Sequence, residues 1–275
     1  MSTAEDPYGT RKRFAFSRNL IKAIGPKLVL DIGCGTGSQL TRPLAETFPE
    51  IQFIAVDPDD VSIRYAQSQP PLPNLRFGGE TLLYRHPTAD LIIASEVVEH
   101  VNNPDRFLAD LRSRLSENGR LVITVPNGYG PYETVAVLEC LLRILKIYWA
   151  LRQIKRWALN QPPPVRAVMH DTLAISPHLN FFSSTALMRL FRDAGLRVVD
   201  YEPRTFLCGF GLDKLLVHFG LCDWNARFAN QLPRWCNSAW MFVLATDRPH
   251  PGKPYKRDLL SRLRRRLNEA CARLN

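Results

Sequence analysis

Short apolar runs alternate with helical patterns through the first half of the chain. KLVLDI (27–32), IQFIAV (51–56), LRF (75–77), ADLIIAS (89–95) and RLVITV (120–125) read as buried strands. An amphipathic helix over 10–24 leads in, and further helices are predicted over 38–48, 59–68 and 104–115. The Pro-rich QPPLPN (69–74) stops one of them, and Asn118-Gly119 reads as a helix-ending turn. Strands separated by helices imply right-handed crossovers and a mostly parallel sheet, with ligands at the carboxyl ends of the strands. After Pro126 the alternation breaks. It resumes at 184–202 as a helix, a turn at Gly195 and a strand, and WMFVLAT (240–246) is the last strand.

The break holds a long apolar helix pattern over 132–160, with Glu139, Arg143, Lys146 and Gln153 on one polar stripe. Charges inside the run argue against a transmembrane helix, because each costs about 2.5–3.5 kcal/mol at a bilayer centre. Tyr148, Trp149 and Trp157, flanked by Arg152, Lys155 and Arg156, suit a helix lying at a lipid interface. A lid over the active site, or packing on a subunit partner, is the competing reading. QPPPVR (161–166) ends the pattern. FLCGFGLDKLLVHFG (206–220) is a further apolar stretch and a candidate lining for an acceptor pocket. Near the end of the chain, Leu259, Leu263 and Leu267 fall at i, i+4 and i+8 amid arginines 257, 262, 264, 265, 266 and 273. That is a basic amphipathic helix suited to anionic headgroups, or an ordinary solvated terminal helix.

A chain of 275 residues suits one α/β domain, taken as 1–250 with a helical insertion at about 132–175, followed by a basic tail over 251–275. The net charge of +10 is concentrated: 247–275 carries nine Lys/Arg against three Asp/Glu, and 134–171 six against two. The rest is near neutral, which speaks against a nucleic-acid partner, since that would want basic charge around the catalytic mouth. The six cysteines are scattered without a C-x-x-C pair, which argues against a cysteine zinc site. The first residues contain no apolar run of the signal-peptide kind. A cytoplasmic protein with peripheral membrane contact is the expectation.

LVLDIGCGTG (28–37) joins a buried strand to a helix through Gly33, Gly35 and Gly37. Residues without a Cβ let backbone approach a ligand closely, and a helix start offers amides and a positive dipole end to an anion. Asp57 follows the next strand, where a carboxylate can take both hydroxyls of a ribose. The dinucleotide pattern G-x-G-x-x-G would need glycine at position 38, and Ser38 stands there.

Asp31-Ile-Gly33-Cys-Gly35-Thr-Gly37 resembles the first motif of class I S-adenosylmethionine-dependent methyltransferases, and Asp57 resembles their ribose-binding acid. Gly79-Glu80 follows the third strand, where that family often holds adenine. EVVEHVNNPDRFLADLRSRLSENGRLVITVPN (96–127) and HLNFFSSTALMRLFRDAGLRVV (178–199) are similar to the ubiquinone-biosynthesis O-methyltransferases. The resemblance covers about 20–127 and 178–200. It implies a Rossmann-like, seven-stranded, mostly parallel sheet flanked by helices, with the last strand antiparallel and S-adenosylmethionine as methyl donor. Asp31, Gly33, Gly35, Gly37, Asp57, Glu80 and Ser95, which closes the fourth strand, form the expected cofactor-binding set.

Methyl transfer from a sulfonium is a direct displacement, so positioning and removal of one proton are the tasks, and no Ser-His-Asp signature is needed. His100 and His178 are the candidates for proton work. Glu96, Glu99 and His100 stand at i, i+3 and i+4 and would share one face of a helical turn. Such a set could hold a divalent cation that acidifies a substrate hydroxyl. By resemblance to small-RNA 2′-O-methyltransferases, His178 is a fourth ligand. Alternatively these residues are a metal-free base or cap the strand–helix junction. The leading expectation is O-methylation of a hydrophobic or lipid-linked small molecule. The competing readings are an RNA or protein methyltransferase, an NAD-dependent oxidoreductase and a non-catalytic nucleotide-binding subunit.

Overall fold

The computed structural model describes residues 7–85, 88–145, 147, 178–207, 212–248 and 254–272. Five strands, β1 (Leu28–Ile32), β2 (Gln52–Val56), β3 (Leu75–Gly78), β4 (Ala89–Ser95) and β5 (Leu115–Pro126), run parallel. β6 (Leu196–Pro203) and β7 (Ala239–Thr246) complete the sheet in the order β3-β2-β1-β4-β5-β7-β6, with β7 antiparallel to both neighbours. The flanking helices are α1 (Pro7–Ile24), α2 (Thr41–Thr47), α3 (Asp60–Ser68), α4 (Pro104–Ser113) and α5 (Pro131–Ile144). They continue with α6 (Ser184–Asp193), α7 (Leu212–His218), α8 (Cys222–Ala229) and α9 (Leu259–Ala272).

The near-continuous apolar strands are explained by burial on both faces of the sheet. Leu30, Ile54, Ile92, Ile123 and Phe242 pack on one face with Leu108 and Leu111 of α4 and Leu187, Leu190 and Phe191 of α6. The alternate residues Val29, Phe53, Leu91, Val122 and Met241 pack on the other, against Phe16 and Ile21 of α1 and Leu44 of α2. Each such side chain contributes about 1.5–3 kcal/mol by leaving water. Register then sets the site: Ile32 pairs with Val56, Val56 with Gly78, and Ser95 with Thr124. The strands therefore end together, and the loops that follow them share one edge.

Two local expectations are corrected. α4 ends at Ser113, and Asn118-Gly119 lies within β5 as an irregularity rather than a helix end. Pairing passes from Ala89–Leu115 to Leu91–Arg120 across that bend. A Cβ on Gly119 would lie 3.0 Å from Ser116 N and 3.1 Å from Ala89 O, which is why glycine fits the bulge. α2 begins at Thr41, later than the hydrophobic pattern suggests, because residues 38–40 form a turn.

Among the described residues no helix is long and apolar enough to cross a membrane. Of the apolar run over 132–160, α5 is described and leaves Leu138, Leu141 and Ile144 exposed. Lys146, Tyr148, Trp149, Arg152, Gln153, Lys155, Arg156, Trp157, the stretch 161–166, residues 208–211 and Arg273 lie outside the described residues. In the other apolar stretch, Leu215, Val217 and Phe219 are exposed.

Candidate active site

The loop after β1 is held by backbone. Gly33 N–H and Cys34 N–H both donate to Val56 O, at 2.8 and 3.1 Å. Gly33, Gly35 and Gly37 have φ of 77°, 54° and 66°, the left-handed region. A Cβ on Gly33 would come 2.5 Å from Val97 Cγ2, and one on Gly37 2.4 Å from Phe77, so both positions also need the missing side chain for space. Asp57, buried at the end of β2, accepts from Gly35 N–H at 2.7 Å through Oδ2 and from Asp59 N–H at 2.8 Å through Oδ1. A cavity of about 150 Å³ opens beside this bond, lined by Ile32, Gly33, Asp57, Glu80 and Phe107. Asp31 is not among its lining residues. It is buried and accepts a bond from Thr41 Oγ1, tying β1 to α2. Burial pushes its carboxyl up to about 6, with the Thr41 bond opposing and the neighbouring Asp57 adding to the rise.

Across β1, Ser95 joins a polar chain. Arg13 of α1, 6% exposed, donates from Nη1 to Ser95 Oγ at 2.7 Å and from Nη2 to Gln39 Oε1 at 2.9 Å. Ser95 Oγ pairs with Thr124 Oγ1 at 2.8 Å, and Thr124 Oγ1 donates to Glu96 Oε1 at 2.8 Å. Glu96 has φ of 59°, a conformation that costs a residue with a Cβ about 1–2 kcal/mol. The distortion is held by Glu96 N–H to Thr124 O at 2.9 Å and by an ion pair with Arg204 at 3.1 Å. Burial opposes ionisation of Glu96, but Arg204, Arg13 and the Thr124 bond together hold its carboxyl below the usual range.

This overturns the shared helical face expected for Glu96, Glu99 and His100. The chain turns at 96–100, no helix forms there, and Glu96 goes to Arg204. The groups that do converge are Glu99, His100 and His178, whose potential ligand atoms lie within 4.8 Å of one another. Glu99 is 1% exposed, and among the described residues neither of its carboxylate oxygens has a hydrogen-bond partner, His100 Nε2 standing 4.0 Å from Oε1. Burial, reinforced by the Glu96 charge, pushes it up to about 8. His178 Nδ1–H donates to Glu133 Oε1 at 2.8 Å, and its ring meets that of His100 edge-on at 5.0 Å. Burial alone would lower the His178 pKa, but Glu133, Glu99 and Glu96 outweigh it and raise it to about 9. A buried carboxylate with no hydrogen bond among the described residues, beside two imidazoles of which one is oriented by a second carboxylate, is a donor set that fits a divalent cation.

The family described as a methyltransferase domain matches residues 10–201. The chain belongs to this family. Among its relatives, the malonyl-[acyl-carrier protein] O-methyltransferase of Halalkalibacterium halodurans is 34% identical over 113 residues, 38% of this chain and 40% of that one. The mitochondrial ubiquinone biosynthesis O-methyltransferase of Rattus norvegicus is 35% identical over 115 residues, 38% of this chain and 32% of that one. The chain thus spans two fifths or less of the length of these curated relatives. Two solved structures share the fold. PKMT2 from Rickettsia typhi superposes with a TM-score of 0.52 at 16% identity, covering 88% of this chain and 53% of that one. The plantazolicin methyltransferase BpumL, solved with a monoazolic desmethylPZN analog and SAH, gives 0.51 at 15% identity, covering 89% and 86%.

Sequence reasoning passed over Arg13, Thr124, Glu133, Asn180 and Arg204. Arg13 and Glu133 sit inside helices read only for amphipathicity, and Arg204 follows the edge strand β6. Nothing local marks them. Each becomes part of the site through partners between 26 and 108 positions away, such as Arg13 with Gln39 and Ser95. Asn180 does so by donating to Val98 O at 3.2 Å and Val101 O at 2.7 Å.

Proposed function

We propose that the chain transfers a methyl group from S-adenosylmethionine to a hydroxyl of a hydrophobic or lipid-linked small molecule. The observation that carries this reading is the bond from Gly35 N–H to Asp57 Oδ2, beside a cavity that also reaches Gly33 and Glu80. An amide-lined bend and a carboxylate facing it suit the methionine and ribose ends of the donor, and Glu80 suits its adenine. Arg13, a buried cation between Gln39 and Ser95, suits the donor's carboxylate. The O-methyltransferases among the relatives support a hydroxyl acceptor.

Displacement at the sulfonium needs the acceptor oxygen in line with the methyl carbon and sulfur, chiefly a matter of positioning. The acceptor proton passes to the cluster after β4. His178 keeps its own proton until about pH 9, so it orients and stabilises negative charge at neutral pH, while His100 takes the proton. In the alternative arrangement Glu99, His100 and His178, the last having released its Nε2 proton, would hold a divalent cation, which would acidify a coordinated hydroxyl in place of proton transfer to His100. Glu133 would then be the carboxylate that fixes the His178 ring. Exposed leucines on α5 and α9 together with the C-terminal arginines support a peripheral position on a membrane of a cytoplasmic protein.

Donor-labelled methyl transfer on a cell extract, with identification of the labelled product, tests the activity. A labelled small-molecule ether is the expected outcome, and label in RNA or protein would overturn the acceptor class. Calorimetric titration with S-adenosylmethionine and NAD tests the cofactor, and preference for NAD would overturn the assignment.

A further inference from the structure

We propose that α9 is a two-sided strap, whose outer face docks on an anionic lipid surface while its inner face and the residues leading into it hold the loops of the candidate active site in register. The idea rests on the membrane reading above and adds to it that docking and active-site order are coupled.

The inner side is polar. Arg257 Nε donates to Leu179 O at 3.2 Å and Asn180 Oδ1 at 2.9 Å, and its Nη2 donates to Asn102 O at 2.9 Å. Leu179 N–H and Asn180 N–H both donate to Glu99 O at 2.9 Å. Arg257 therefore clasps the turn that carries Glu99 and His100 to the loop that carries His178. Asp258 accepts from Tyr129 O–H at 2.8 Å and from Ser261 N–H at 2.6 Å, fixing the start of α9. Arg264 donates to Gly128 O and lies over the rings of Tyr129, at 4.9 Å, and Phe181, at 5.8 Å. Cys140 of α5 reaches Leu267 O at 3.4 Å, so α9 also braces the helix that carries Glu133.

The outer side mixes exposed leucines with cations. Leu259 and Leu263 stand 68% and 52% exposed on one face, opposite the buried Ser261, and the exposed Arg262 and Arg266 share that face. Lys256, Arg257, Arg262, Arg265 and Arg266, with Glu269 paired to Arg265 at 2.7 Å, line an open cleft of about 570 Å³ beside it, a net excess of positive charge. A lone exposed leucine needs no explanation, but a pair of them flanked by exposed arginines on one helix face does. Apolar anchors beside arginines match acyl chains below anionic headgroups. A nucleic-acid backbone would use the cations and leave the leucines in water.

The test uses the full chain with vesicles of phosphatidylcholine alone or with one third phosphatidylglycerol, read by co-sedimentation and by amide hydrogen exchange. Wild type is expected to sediment with the anionic vesicles and not the neutral ones. Arg262→Gln with Arg266→Gln should weaken that partitioning roughly 30-fold, and Leu259→Ser with Leu263→Ser at least as much. On anionic vesicles, exchange should slow at Leu179 and Asn180 as well as along α9. In Arg257→Ala the slowing along α9 should persist and that at 179–180 vanish, with added guanidinium restoring part of it. Arg257→Lys, which keeps the charge but loses the planar fork that reaches Asn102 and Asn180 together, should fall between. No preference for anionic vesicles, or capture of an RNA oligomer in their place, would sink the docking surface. Docking without any change at 179–180, or the same slowing there in Arg257→Ala, would sink the coupling alone. Donor titration reads the β1–β2 edge separately, so failure of either part is distinct from failure of the methyltransferase reading.

Discussion

At the β1–β3 edge the two buried aspartates are already matched. Asp57 holds Gly35 and Asp59, and Asp31 holds Thr41, so the cradle is formed before any ligand arrives. At the β4–β5 edge the opposite holds: Glu96 sits in a costly backbone conformation, and Glu99 is buried without a hydrogen-bond partner among the described residues. Strain and unmet bonding capacity concentrate where chemistry happens, because a group satisfied by the protein has little to offer a reacting ligand. On the proposed function the difference divides the site into a donor-binding half and a reacting half, and variants should split along it.

The largest effect is expected at Asp57. Asp57→Ala removes both the proposed ribose contact and the anchor of Gly35, and donor affinity should fall roughly 100-fold or more by calorimetry. Retained affinity would dissolve the distinction between the halves. Glu99→Gln should reduce divalent-cation affinity about 100-fold, read with Mn²⁺ by spin resonance, while donor affinity stays within about twofold. A loss of both would mean that the halves are one unit. Glu133→Gln should be milder, about tenfold in cation affinity. It should also move the alkaline limb of the pH–rate profile to lower pH, because the Glu133 carboxylate raises the His178 pKa. An unmoved limb would detach the His178 charge from the reaction.

The smallest effect is on stability. Glu99 is raised from 4.5 to about 8 and His178 from 6.5 to about 9, so the folded state holds more protons than the unfolded one. The Glu99 contribution is full below pH 4.5 and lost by about 8, and that of His178 is full below 6.5 and lost by about 9. Melting temperature should therefore fall between pH 6.5 and 9, by about 2–4 °C for each kcal/mol lost. Glu99→Gln, which mimics the protonated carboxyl, should flatten that fall. A wild-type melting curve that rises over the same window would contradict the burial of both groups.

Legibility in the sequence follows the same division. The apolar runs predict the strands to within a residue or two at β1, β2, β3, β4 and β7, because burial on both faces leaves no polar positions to confuse the pattern. The bulge at Gly119 defeats the same logic, since a glycine turn inside a strand and one after a helix read alike. Gly33, Gly35, Gly37 and Asp57 are legible because backbone geometry dictates residue type within short stretches. Glu96 was read with Glu99 and His100 on spacing alone, and spacing contains no Arg204.

The sequence by itself determined the layered sheet, the glycine bend and the acid that faces it, since local sterics and strand burial act over a few neighbouring residues. Tertiary structure alone decided which carboxylate pairs with arginine and which stays open, and it brought Glu133 and Arg257 to the loops around His178. Those choices depend on desolvation and charge between segments far apart in the chain, and such energies exist only once the segments are packed together.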